Sequence, residues 1–200
     1  MRGIDRTSYP FLRALVWMCR RVKVDPVNLL AVMSSETAGT FDPAIHPPKG
    51  GATGLIQFMP ETARTLGTTT EKLARMSQVE QLVYVERFFQ PHAKRNLAER
   101  RPVDTYLAVF APSHIGEDMS SVVYAAPSKE YKANIKLDTG KDDKIQVSEV
   151  AAVIGGVLAR AAKVGWVNVD VWPEGTGAAL ALVALAGTAA VAIAAERYGR

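Results

Sequence analysis

The sequence predicts a mostly helical domain followed by a C-terminal hydrophobic helix. Three observations predict it. Apolar residues recur at the three-to-four-residue spacing of amphipathic helices in segment after segment, with almost no period-two alternation. Helix-start signals, a capping Ser, Thr or Asp often followed by Pro or an acid, precede those segments. Residues 175–195 form a run of 21 residues without a single charge. The composition agrees, since 48% hydrophobic and 22% charged residues are globular values rather than those of a disordered chain. A single cysteine, Cys19, excludes an intramolecular disulfide, and with only three histidines it excludes a zinc-finger framework. The net charge of +4 gives a mild attraction for anionic polymers and no case for nucleic acid. The mean hydropathy of +0.02 conceals an uneven distribution.

The elements follow in order. Pro10 to Val22 carries Phe11, Leu15, Met18 and Val22 at helical spacing, with Trp17, Met18 and Cys19 expected in the core. Asp25-Pro26 is a capping carboxylate followed by proline at the first helical position, so a second helix runs from there and stops near Gly39. Residues 40–58 read as a long loop of Gly, Pro and small residues, and Pro60 opens a third helix. Thr68 with Glu71, and Ser77 with Glu80, are two capping-box pairs. Leu82, Val85, Phe88 and Phe89 make the helix after Ser77 amphipathic. Asp104 to Phe110 and Ser148 to Lys163 complete the series.

The tail is set apart. Spanning a bilayer as a helix takes about 20 apolar residues, which the run at 175–195 supplies, although ten of its residues are alanine. Gly177, Ala181 and Gly187 suit close helix contact in a membrane. The chain is therefore expected to divide into a domain over residues 1–170 and a transmembrane helix and tail over 171–200. The charged N-terminus, interrupted by Arg2, Asp5, Arg6 and Arg13, does not read as a signal peptide. Membrane association through the C-terminal helix is the expected localisation.

Glu36 is out of place. It lies three residues after Met33 and seven after Leu29, so it falls on the apolar face of its helix. A carboxyl facing an apolar environment has its charged form disfavoured and its pKa raised, the property a general acid needs near neutral pH.

Its neighbours carry a resemblance. Ser35-Glu36-Thr37, Phe41-Asp42-Pro43 and the segment Gly51-Ala52-Thr53-Gly54-Leu55-Ile56-Gln57-Phe58-Met59-Pro60-Glu61-Thr62-Ala63 strongly resemble the soluble-type lytic transglycosylases. These are goose-lysozyme-like, all-helical enzymes that cut peptidoglycan glycan strands. The likeness covers roughly residues 10 to 135, with near-family spacing between two linked blocks. It implies a lysozyme-like helical domain with Glu36 as the catalytic acid. It further implies that Thr37, Gly54, Ile56, Gln57 and Phe58 line the sugar groove, with Phe110 as an aromatic platform. The third family block, usually Ala-Tyr-Asn-Ala-Gly, stands here as Val109-Phe110-Ala111-Pro112-Ser113, so Tyr124 or Tyr131 is expected to supply the missing phenol. The variant block is closest to the phage-borne and secretion-associated branch. That branch implies a role in opening the wall during phage infection or the assembly of an envelope machine, with virion or envelope-complex proteins as partners.

A hydrolytic glycosidase generally needs two carboxylates. Asp42 reads better as a turn residue and Glu61 as a charge at a helix N-terminus, so a single acid, Glu36, suits the transglycosylase route. The alternatives are a hydrolytic muramidase and a non-catalytic, membrane-anchored glycan-binding or assembly protein. Residues 138–149 have the length of an EF-hand loop, with Asp138, Asp142, Ile145 and Glu149 at positions one, five, eight and twelve. Gly140 removes a ligand and Asp143 replaces the required glycine, so the loop reads as degenerate. His46 has no partner ligand at metal-binding spacing, and neither a metal nor a cofactor is expected. Lys94, Arg95, Arg100 and Arg101 read as a solvated helix end.

Overall fold

The computed structural model describes residues 6–47 and 51–164. Its order is α1 (Tyr9–Val22), α2 (Pro26–Glu36), α3 (Pro60–Thr65), α4 (Thr70–Leu73), α5 (Gln78–Phe89), α6 (Pro102–Phe110), β1 (Val122–Ala125), α7 (Lys129–Asn134), β2 (Lys144–Gln146) and α8 (Val147–Val164), with short 3-10 turns between several of them. The protein is mostly helical.

Local chemistry explains the boundaries. The Ser8 hydroxyl accepts from the Phe11 amide to open α1, and Lys23 closes it in the left-handed conformation. The Asp25 carboxylate accepts from the Asn28 amide at 2.8 Å, with Pro26 at the first helical position. Ser77 and Glu80 form a complete capping box at the start of α5. The pair expected at Thr68 is displaced by one residue. Thr69 caps α4 by accepting from the Lys72 amide, while Thr68 is buried with its hydroxyl unpartnered.

The second helix is the centre of the domain. Every residue from Val27 to Ser34 is buried, between α6 and α8, while α1 packs on α5. Burying a Leu, Val or Met side chain contributes about 1.5–3 kcal/mol, so Leu29, Leu30, Val32 and Met33 fix α2 firmly in place. Trp17 corrects an expectation: it is 37% exposed, with the Arg20 guanidinium 5.3 Å from its ring, whereas Met18 and Cys19 are core.

Strands β1 and β2 form a small antiparallel ribbon, with Tyr124 opposite Ile145 and an irregularity between Val122 and Tyr124. At four and three residues they are too short to leave a readable alternation. Among the described residues no helix is long and apolar enough to cross a membrane. The run 175–195, where the sequence places the anchor, lies outside the described residues.

Candidate active site

Glu36 is the last residue of α2, held there by the buried turns that precede it. Burial raises its carboxyl to a pKa of about 7, an effect partly offset by the phenol of Tyr106, which lies within hydrogen-bonding reach. The negative end of the helix dipole acts in the same sense as burial. The carboxyl therefore keeps its proton close to neutrality and can surrender it there. Tyr106 is itself buried on α6, and burial together with the charge of Glu36 holds its phenol well above the ordinary tyrosine range. The Ser35 hydroxyl reaches the same phenol. Glu36, Tyr106 and Ser35 thus form one polar cluster in an otherwise apolar seam between α2 and α6.

An aromatic row continues from Tyr106. Its ring stacks on Phe110 one helical turn later, with centroids 5.7 Å apart and planes at 23°. Phe110 meets Tyr124 edge-on at 5.4 Å. The Tyr124 hydroxyl donates to the Phe110 carbonyl oxygen at 3.1 Å, and the Tyr131 hydroxyl donates to Asp138 at 2.7 Å. Both phenols expected to replace the family tyrosine are thus engaged elsewhere. Tyr106 is the one beside the acid.

The chain after α2 is built by polar pins. The Thr37 hydroxyl donates to the Met33 carbonyl at 2.7 Å and accepts from the Phe41 amide at 3.0 Å. Gln78 donates to the Phe41 carbonyl. The wholly buried Gln81 carboxamide donates to the carbonyls of Pro43 and Leu73 and accepts from the Leu55 amide. Thr53 and Phe58 bridge each other, and Gly54 between them is left-handed at φ +88°. Gln57, also left-handed, turns its carboxamide nitrogen to the carbonyls of Ile45 and Gly54 and stays half-buried.

This geometry corrects part of the expected groove. Thr37, Ile56 and Phe58 are at most 2% exposed, because the loop folds their side chains into the core under α2 and α5. Their side chains support the loop from below. Gly54 is also buried, its α-carbon set against Gln81. Of the expected groove residues, Gln57, Phe110 and Tyr124 are the ones partly exposed.

Asp104 anchors the chain beyond Phe110. Its buried carboxylate accepts from the Arg101 guanidinium twice and from the Gly116 amide at 2.8 Å, while Arg101 also donates to the Glu117 carbonyl. Burial alone would raise its pKa, but those donors hold it below the usual range. The other carboxylates weighed from the sequence stand apart. Asp42 closes a turn by accepting from the Ala44 amide, and Glu61 pairs with Arg64. Among the described residues, no further carboxylate enters the electrostatics of Glu36.

The loop at 138–149 satisfies itself. The Glu149 carboxylate accepts from the amides of Thr139, Gly140 and Gln146 and from the Thr139 hydroxyl. Asp138 accepts from the amides of Asp142 and Asp143 and from Tyr131. Asp143, at the position where an EF-hand needs glycine, takes φ +62°. Among the described residues no cluster of His, Cys, Asp and Glu is arranged to hold a metal ion.

Compared with known proteins, the chain matches no family model and no curated protein. The sequence alone passed over Tyr106, Ser35, Gln81 and Asp104. The signal for Tyr106 was its place one helical turn before Phe110. Nothing local distinguishes Gln81 from other helix glutamines.

Proposed function

We propose that the protein is a peptidoglycan lytic transglycosylase with a lysozyme-like helical domain and Glu36 as its general acid and base. The observation that carries this reading is the Glu36 carboxyl, raised to about 7 by burial at the end of α2 and faced by Tyr106. In the proposed reaction Glu36 gives its proton to the glycosidic oxygen between N-acetylmuramic acid and N-acetylglucosamine as the C1–O bond breaks. The resulting carboxylate takes the proton of the muramyl C6 hydroxyl, whose oxygen bonds to C1 of the same sugar. A 1,6-anhydro ring forms and no water is consumed. Positive charge at C1 is met by the substrate's own N-acetyl group, as in substrate-assisted glycosidases, so no second carboxylate is required.

Tyr106 positions and tunes the acid, and the half-exposed ring of Phe110 offers an apolar face to a sugar. Gln57 borders the same loop system and is assigned to substrate binding with Phe110 and Tyr124. That no second carboxylate stands beside Glu36 among the described residues favours the transglycosylase over a hydrolytic muramidase. Wall opening during phage infection or envelope-machine assembly, with membrane association through 175–195, is the setting we assign to it.

Digestion of purified sacculi tests the reading. Products with anhydro-muramyl ends, absent with Glu36→Gln, are expected. Reducing ends would make the enzyme a muramidase, and intact sacculi would leave a non-catalytic glycan-binding protein.

A further inference from the structure

A groove of about 540 Å³ lies between the end of α2 and α8 and shares Ser35 with the Glu36 cluster. Ser35 and Gly39 border it from one side, Ala152 and Gly156 from the other, and Arg160 completes its lining. The volume lies within the range of small-ligand clefts. Its walls are mostly small residues and hydroxyls, with Val153 and Val157 as the larger apolar side chains, which leaves room for an extended main chain. A β-carbon on Gly156 would come within 3.3 Å of the Arg160 guanidinium, so this cation lies back over the glycine one turn earlier. Among the described residues, no carboxylate lies within ion-pair distance of Arg160. The groove is continuous with the acid through one residue. Ser35 both lines it and reaches the Tyr106 phenol, which in turn faces Glu36.

We propose that this groove receives the anionic peptide carried by the muramyl sugar, with Arg160 binding a peptide carboxylate. The inference rests on the transglycosylase reading for its substrate and on the groove itself for the contact. Two features select the occupant. A guanidinium presents paired donors suited to a carboxylate. The groove also begins one residue from the proposed acid, where a substituent of the sugar being cut arrives. The sugar rings, hydroxyls and N-acetyl groups of the strand carry no charge to set against Arg160, whereas the peptide on the muramyl lactyl group supplies carboxylates. Binding of the stem there orients the muramyl ring toward Glu36.

Calorimetric titration of the full-length chain tests this, in a Glu36→Gln background so that no ligand is consumed. The probes are a muramyl disaccharide bearing a tripeptide and the same disaccharide with its lactyl carboxyl capped as a simple amide, so that it carries no charge. Arg160→Glu is expected to weaken the peptide-bearing ligand about tenfold, about 1.4 kcal/mol, and the peptide-free one less than twofold. Arg160→Lys should restore most of the loss, and Ala152→Trp, which fills the groove, should reproduce it. Equal losses for both ligands, no loss, or no binding of the peptide-bearing ligand overturns the proposal. Arg160-dependent binding by a protein that leaves sacculi intact defeats the transglycosylase reading alone. Lysis of sacculi without Arg160-dependent binding defeats the groove alone.

Discussion

Gly54 and Gln81 are in such close contact that a β-carbon on the glycine would lie 2.5 Å from the Gln81 Oε1 atom. The carboxamide cannot move aside, because it is wholly buried and bonded to Leu55, Pro43 and Leu73. A loop of Gly, Pro and small residues is thereby locked onto α5.

Breaking that lock destabilises the domain. Gln81→Ala leaves the Leu55 amide and the Pro43 carbonyl without their partner and a cavity behind them, for a loss on the order of 3 kcal/mol. Gly54→Ala combines a left-handed backbone with the clash and costs at least about 2 kcal/mol. Thermal denaturation checks both, each kcal/mol shifting Tm by roughly 2–4 °C. An unchanged Tm for Gln81→Ala would remove the lock from the account.

Glu36 should be costly to the fold and necessary to the reaction. Its folded pKa of about 7 exceeds the ordinary value of 4.5, so the native state favours the protonated form. The associated stability is present in full below about pH 4.5 and is lost as pH rises through 7. Glu36→Gln should therefore match the parent near pH 4 and exceed it at pH 8 by on the order of 3 kcal/mol. Denaturant unfolding at the two pH values measures the difference. Lysis by the parent should decline above about pH 7, while the variant is inactive throughout.

Tyr106→Phe removes the phenol that favours the Glu36 carboxylate while keeping the ring stacked on Phe110. The alkaline limb of the activity profile should move to higher pH, with a rate loss of about tenfold or more from a less well positioned acid. A profile that keeps its midpoint would mean the phenol acts on the substrate rather than on Glu36.

The loop at 138–149 should be indifferent to calcium. Its carboxylates already accept from the loop's own amides, so an added ion must displace hydrogen bonds before it gains ligands. Millimolar calcium should leave Tm unchanged, whereas Glu149→Ala should lower it by roughly 3–6 °C through loss of those bonds. A calcium-induced rise of several degrees would restore the loop as a metal site.

Removal of residues 175–200 should release the protein from membranes. Flotation of the full-length and truncated chains with lipid vesicles measures this. Equal partitioning of the two would move the hydrophobic run into a protein contact.

Much of the helical plan was legible because it is written locally. Ser8, Asp25 and Ser77 cap the helices they precede, and the spacing of apolar residues marks their buried faces. The misses have physical reasons. Thr68 and Thr69 offer the same hydroxyl, and only packing chose the second as the cap. Trp17 is apolar enough for the core but sits on the face of α1 that carries Arg20. Thr37, Ile56 and Phe58 stand in a motif that reads as a groove, yet the chain after α2 turns their side chains into the core.

The sequence by itself determined most of the helices, the isolation of an uncharged segment at 175–195, and Glu36 as an acid on an apolar helix face. The tertiary structure alone decided what surrounds that acid. Tyr106 lies 70 positions further along the chain, and its approach depends on α6 packing against α2. Arg160 reaches the same neighbourhood because α8 packs there too. Local spacing dictates which face of a helix is apolar, but burial of those faces against one another sets which distant side chains meet, and with them the pKa of Glu36.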